Sequence, residues 1–115
     1  MEKTLTIDGR QVPFKSTGAF LLRYKAQFNR DAIQDLFKLK EALDENNQVI
    51  NIDKLDLLVF YNMVWTLAKT ADPNIPVNPL EWLDGFSTFP LDYVLPELID
   101  LILSSFATTV ESKKK

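Results

Sequence analysis

One stretch constrains this chain more than any other. From Lys54 to about Ala71 it carries Leu55, Leu57, Leu58, Val59, Phe60, Met63, Val64, Trp65, Leu67 and Ala68. At helical spacing these residues cover most of the circumference, so the helix they predict has no side fit for water and belongs in the middle of a fold. Six such side chains fully buried contribute about 10–15 kcal/mol of transfer free energy, at about 1.5–3 kcal/mol each. Asp53 stands where an N-cap is wanted. The remaining elements are therefore expected to surround this one.

They are readable in order. Thr4-Leu5-Thr6-Ile7, then Asp8-Gly9, then Arg10 to Lys15 alternate with period two about a pair that accepts the positive φ values of a type I′ turn. This predicts a hairpin whose face of Leu5, Ile7, Val12 and Phe14 covers the helices, with Pro13 at an edge position. Ser16 and Thr17 are candidate caps for a first helix carrying Phe20, Leu21, Tyr24 and Phe28 inward. Asn29 suits a left-handed C-terminal cap, and Asp31 caps a second helix running to about Leu43. On that helix Ile33, Leu36, Phe37 and Leu39 are expected inward, and Asp35, Lys38, Lys40 and Glu41 outward.

Residues 44–48 are a polar loop. Between Asp72 and Pro79 three prolines exclude helix and inner strand and predict a stiff connector. Asn78 and Pro79 then open a short helix that Gly85 stops. Pro90 starts the last helix, which continues to about Val110 with a kink or late start expected at Pro96. The fold class is α+β, mainly α: an N-terminal β-hairpin packed on a bundle of about five helices. A single domain is expected over residues 1–112, with a disordered lysine tail at 113–115.

The chain has no cysteine and no histidine. Disulfides and thiolate or imidazole metal sites are thereby excluded, as is the commonest general base at neutral pH. Acidic pairs such as Asp31 with Asp35 or Asp53 with Asp56 fall in first helical turns, where carboxylates cap amides and favour the helix dipole. No phosphate-cradling glycine loop or calcium-loop spacing is present. The expectation is a protein without catalytic residues, cofactor or metal.

Charge is unevenly placed. Residues 1–70 carry ten basic and nine acidic side chains, while seven acidic and no basic residues lie between Lys69 and Lys113. With no basic stripe to displace counterions from phosphate, nucleic acid is not expected as a partner. The start of the chain lacks the apolar run of a secretory signal, and the apolar window from Leu91 to Val110 is interrupted by Asp92, Glu97 and Asp100. A cytosolic protein with no membrane span is expected.

Two sets of apolar residues are candidates for protein binding. Trp82, Phe86, Phe89 and Tyr93 straddle the short fourth helix and the start of the fifth, either as packing under a loop or as an anchor patch. In the last helix Leu91, Leu95, Leu98, Ile99, Ile102 and Phe106 form one stripe, widened by Val94, Leu101 and Leu103 beyond what one face needs. Trp82, Phe86, Phe89, Tyr93, Leu95, Leu98, Ile102 and Phe106 are the candidate partner-binding residues.

Several stretches taken together resemble a known family. They are Ile7-Asp8-Gly9-Arg10-Gln11-Val12-Pro13-Phe14, the run from Arg23 to Asp31, Ala68-Lys69-Thr70-Ala71-Asp72, and Glu81-Trp82-Leu83-Asp84-Gly85-Phe86. In order and spacing, over nearly the whole chain, they are similar to the tail assembly chaperones of long-tailed phages and prophages of Gram-positive bacteria. In that family the second stretch usually reads Phe-Gly-Arg-Asp. Here Asn29 takes the glycine position and keeps the left-handed cap available.

The resemblance implies a protein that binds and solubilises the tape-measure protein during tail morphogenesis, working in the bacterial host cytoplasm and absent from the mature virion. It also implies self-association as a homo-oligomer and a longer form made by translational frameshifting. Lys113-Lys114-Lys115 fits an A-rich slippery run, and equally a solvated terminus. The alternative role is a structural or adaptor subunit retained in the phage tail.

Overall fold

The structure is a computed structural model that describes residues 1–105. Phe106, the expected continuation of the last helix to about Val110 and the lysine tail lie outside the described residues. Two strands and five helices follow one another: β1 (Glu2–Ile7), β2 (Arg10–Lys15), α1 (Phe20–Phe28), α2 (Ala32–Lys40), α3 (Leu57–Ala71), α4 (Pro79–Leu83) and α5 (Leu91–Ser104). This is the expected α+β, mainly α class, a hairpin on five helices.

The hairpin forms for the reason its text suggests. Asp8 and Gly9 both take positive φ, 54° and 73°, as a type I′ turn requires. That turn fixes the register Ile7 opposite Arg10 through Glu2 opposite Lys15, and period two then puts Leu5, Ile7, Val12 and Phe14 on one buried face. Pro13 sits opposite Thr4, one of the pairs that exchange no backbone hydrogen bonds, so its missing N–H leaves the ladder intact.

α3 is the central helix. Residues Val59 through Ala68 are buried except Tyr61, which is half-buried, and the helix packs against β2, α1, α2, α4 and α5. One apolar core joins Leu5 at the hairpin to Ile102 near the end of α5. Lys3 reaches across from β1 to α5, where its Nζ donates to the Glu97 backbone O (3.1 Å) and Oε1 (3.2 Å).

Several caps form as read. Asn29 is left-handed, with its N–H on the Lys25 carbonyl, and Asp31 accepts from the amides of Ile33 and Gln34. Asn78 accepts from the Leu80 and Glu81 amides with Pro79 at N1. Others differ. Asp56, not Asp53, caps α3, because Ile52–Lys54 form a single 3₁₀ turn before the helix starts. Ser16 is buried with its Oγ 2.8 Å from that of Ser104, and Thr17 accepts from the Ala19 amide, so neither caps α1.

α5 begins at Leu91, ahead of Pro96, rather than starting late. Pro96 has no N–H to donate to the Asp92 carbonyl, and Asp92 is a solvent-exposed residue. The connector is held stiffly to α3. Trp65 Nε1 donates to the Pro76 carbonyl at 2.9 Å, and Lys69 Nζ donates to the Pro73 and Ile75 carbonyls.

Candidate binding surface

The aromatic residues singled out in the sequence turn mostly inward. Trp82, Phe86 and Phe89 form a triangle of edge-to-face rings with centroids 5.3–5.6 Å apart. Phe89 extends it to Phe60 and Tyr61 of α3. This is the edge-on geometry that ring quadrupoles favour, and it ties the α4–α5 loop to the central helix.

The hairpin turn seals the cluster. Arg10 lies 4.0 Å above the Phe86 ring and donates to the Gly85 carbonyl, while Asp8 Oδ2 accepts from the Ser87 amide. Trp82 is buried and Phe86 and Phe89 are half-buried, which fits packing beneath a loop. Tyr93 alone of the four is exposed.

The α5 stripe is corrected more completely. Leu95, Leu98 and Ile102 are buried, Leu98 to zero exposure, and Val94, Ile99 and Leu101 are buried with them. The hairpin on one side and α3 on another absorb the breadth that suggested an interface. None of these side chains is available to a partner of the folded chain, and Phe106 lies outside the described residues.

Apolar surface is exposed elsewhere. The second helix is rotated relative to its expected orientation: Ala32, Asp35, Leu36 and Leu39 face the core, while Phe37 is 65% and Ile33 37% exposed. Asp35, expected outward, is itself only 3% exposed. Its carboxylate receives Arg30 Nε at 2.7 Å and Nη2 at 2.8 Å in a bidentate fork, and the Tyr24 hydroxyl at 2.8 Å.

The electrostatics follow from that geometry. The Arg30 hydrogen bonds hold the Asp35 carboxyl below the usual carboxylate range against the opposing effect of burial, with the Tyr24 hydroxyl helping. Burial and the adjacent carboxylate raise the Tyr24 phenol, and the Asp35 hydrogen bonds raise Arg30. All three groups keep their ordinary charge states at neutral pH. The cluster is a satisfied polar node.

Leu22 of α1, 71% exposed, shares a groove with Ile33. It lines, with Leu21, Lys25, Arg30, Asp31, Ala32 and Ile33, a groove of about 410 Å³ between α1 and α2. A second groove, of about 300 Å³, runs along the other flank of α1 between Arg23 and Gln27 on one side and Trp65 and Thr70 on the other. Leu57, Leu58, Ile50, Ile52, Val77 and Leu80 are further exposed apolar side chains.

Sequence reasoning missed Leu22, Ile33 and Phe37 as surface residues. The available signal was the helical wheel of α2, where Ala32, Asp35, Leu36 and Leu39 also share one arc. Choosing that arc required knowing that Tyr24 and Arg30 reach Asp35.

Among the described residues no three His, Cys, Asp or Glu side chains gather as metal ligands, and no helix is long and apolar enough to cross a membrane. Comparison of the chain with known protein families, with curated proteins and with solved structures found no match to any of them.

Proposed function

We propose that this chain is a phage tail assembly chaperone that binds the tape-measure protein through the exposed apolar surface of α1 and α2 and keeps it soluble until the tail tube forms around it. The observation that supports the reading is the exposure of Leu22, Ile33 and Phe37 on α1 and α2, while Val94, Leu95, Leu98, Ile99, Leu101 and Ile102 of α5 are packed away. Leaving Phe37 in water forgoes about 1.5–3 kcal/mol of burial, which a partner recovers by covering it. The phage assignment itself rests on the resemblance of the hairpin, Arg23–Asp31 and Glu81–Phe86 stretches to that family.

In this reading the protein acts in the host cytoplasm, self-associates, works beside a longer frameshifted form and leaves before the virion is complete. Co-expression with the tape-measure protein tests it. A soluble complex is expected; tape-measure protein that stays insoluble, with no complex even when the longer form is supplied, refutes the proposal. Mass spectrometry of purified virions separates it from a retained tail subunit, which would appear in fixed copy number.

A further inference from the structure

α1 and α2 present two stripes to solvent that meet at one depression. On α1 the stripe is Leu22 with Lys25 one turn on; on α2 it is Ile33, Phe37 and Lys40 at spacings of four and three. Leu22, Lys25 and Ile33 line the same groove, so the stripes are adjacent in space.

The charge around the groove is mixed, with Lys25 and Arg30 against Asp31. Arg30 is committed to Asp35, and Asp31 accepts from the amides of Ile33 and Gln34 through Oδ1 while keeping its negative charge at the groove. Lys25, Lys38 and Lys40 take part in no ion pair among the described residues, so α1 and α2 together expose more unpaired cations than carboxylates, the latter being Asp31 and Glu41. Apolar side chains flanked by unpaired ammonium groups match an apolar stripe flanked by carboxylates.

Resting on the reading of the chain as a client-binding protein, we propose that the α1–α2 groove receives an acidic amphipathic helix of the partner. Apolar side chains of that helix at i and i+4 cover Leu22, Ile33 and Phe37, and its carboxylates meet Lys25 and Lys40. A second copy of this chain is the poorer occupant. Its exposed Val77 and Leu80 beside Glu81 and Asp84 have the right chemistry, but α4 spans five residues and cannot present an i, i+4, i+7 stripe.

Fluorescence anisotropy tests this with two labelled synthetic helices on the full chain, one with leucines at i, i+4 and i+7 flanked by glutamates, the other flanked by lysines. The glutamate peptide is expected to bind at least about tenfold more tightly and to weaken with added salt. Leu22→Asp with Ile33→Asp should cost at least about tenfold, and Lys25→Glu with Lys40→Glu should reverse the preference, with circular dichroism unchanged because all four side chains are on the surface.

Equal binding of both peptides, binding of neither, or binding indifferent to the variants overturns the proposal. So does loss of self-association in the Leu22→Asp, Ile33→Asp variant without any peptide binding, which assigns the face to a second copy. If that variant still forms the tape-measure complex, the groove assignment falls and the chaperone reading stands. If the glutamate peptide binds as expected but no tape-measure complex forms, the reverse holds.

Discussion

α2 and α5 are both helices with more apolar residues than one face requires, and the fold treats them oppositely. In α5 the surplus is absorbed: Val94, Leu95, Leu98, Ile99, Leu101 and Ile102 are all buried because the hairpin and α3 each take part of the circumference. In α2 the surplus is displayed, with Ile33 and Phe37 in solvent while an aspartate goes inside. The contrast shows that apolar breadth alone does not mark an interface. What decides is whether neighbours exist on more than one side, and whether a polar residue has partners that can hold it in the core.

The largest effect should come from putting a charge where α5 is enclosed. Leu98→Asp buries a carboxylate with no partner, and the expected loss is about 4–5 kcal/mol or more, enough to unfold a domain of ordinary stability. Far-ultraviolet circular dichroism and thermal melting check it. A folded Leu98→Asp protein would mean that α5 is a surface helix after all, and the comparison would collapse.

Next comes the node that orients α2. Asp35→Ala leaves the Tyr24 hydroxyl and the Arg30 guanidinium without their acceptor, at an expected cost of about 2–3 kcal/mol in urea unfolding. The pH dependence has a definite sign. Because Arg30 and Tyr24 hold the Asp35 carboxyl below its unfolded value, the stabilisation is fully present above the unfolded carboxylate pKa of about 4 and is lost as pH falls through the lower folded value. Asp35→Asn should remove that acid-side slope. A slope identical in both proteins would show that the node does not orient the helix through its charge.

Smaller again is the seal over the aromatic triangle. Arg10→Ala removes the contact with the Phe86 ring and the hydrogen bond to Gly85, for about 1 kcal/mol in chemical denaturation. The smallest effect sharpens the comparison most. Phe37→Ser should change stability by no more than about 0.5 kcal/mol, since the ring is in water already. A cost of 2 kcal/mol or more would place Phe37 in the core and restore the orientation of α2 first inferred from its apolar spacing.

Much of the architecture was legible because it is local. The Asp8-Gly9 turn, the Asn29 cap, the Asp31 and Asn78 caps and the encirclement of α3 each follow from a few residues whose conformational preferences act on their own neighbours. The candidate site was not legible to the same degree. Leu95, Leu98 and Ile102 were credible interface residues only until the hairpin was seen to lie on α5. Trp82, Phe86 and Phe89 needed Arg10 and the loop in place before their rings could be read as packing.

The sequence by itself therefore determined the elements, their order and the absence of cysteine and histidine chemistry, since turns, caps and periodicity are settled within a few residues of chain. The tertiary structure decided how far α2 turns toward water and how much of α5 is enclosed. Both depend on contacts between distant segments, such as Lys3 with Glu97 and Arg10 with Phe86, and on the spatial approach of Tyr24 and Arg30 to Asp35. Helical periodicity offers two possible arcs for α2, and only the placement of a charged partner selects between them.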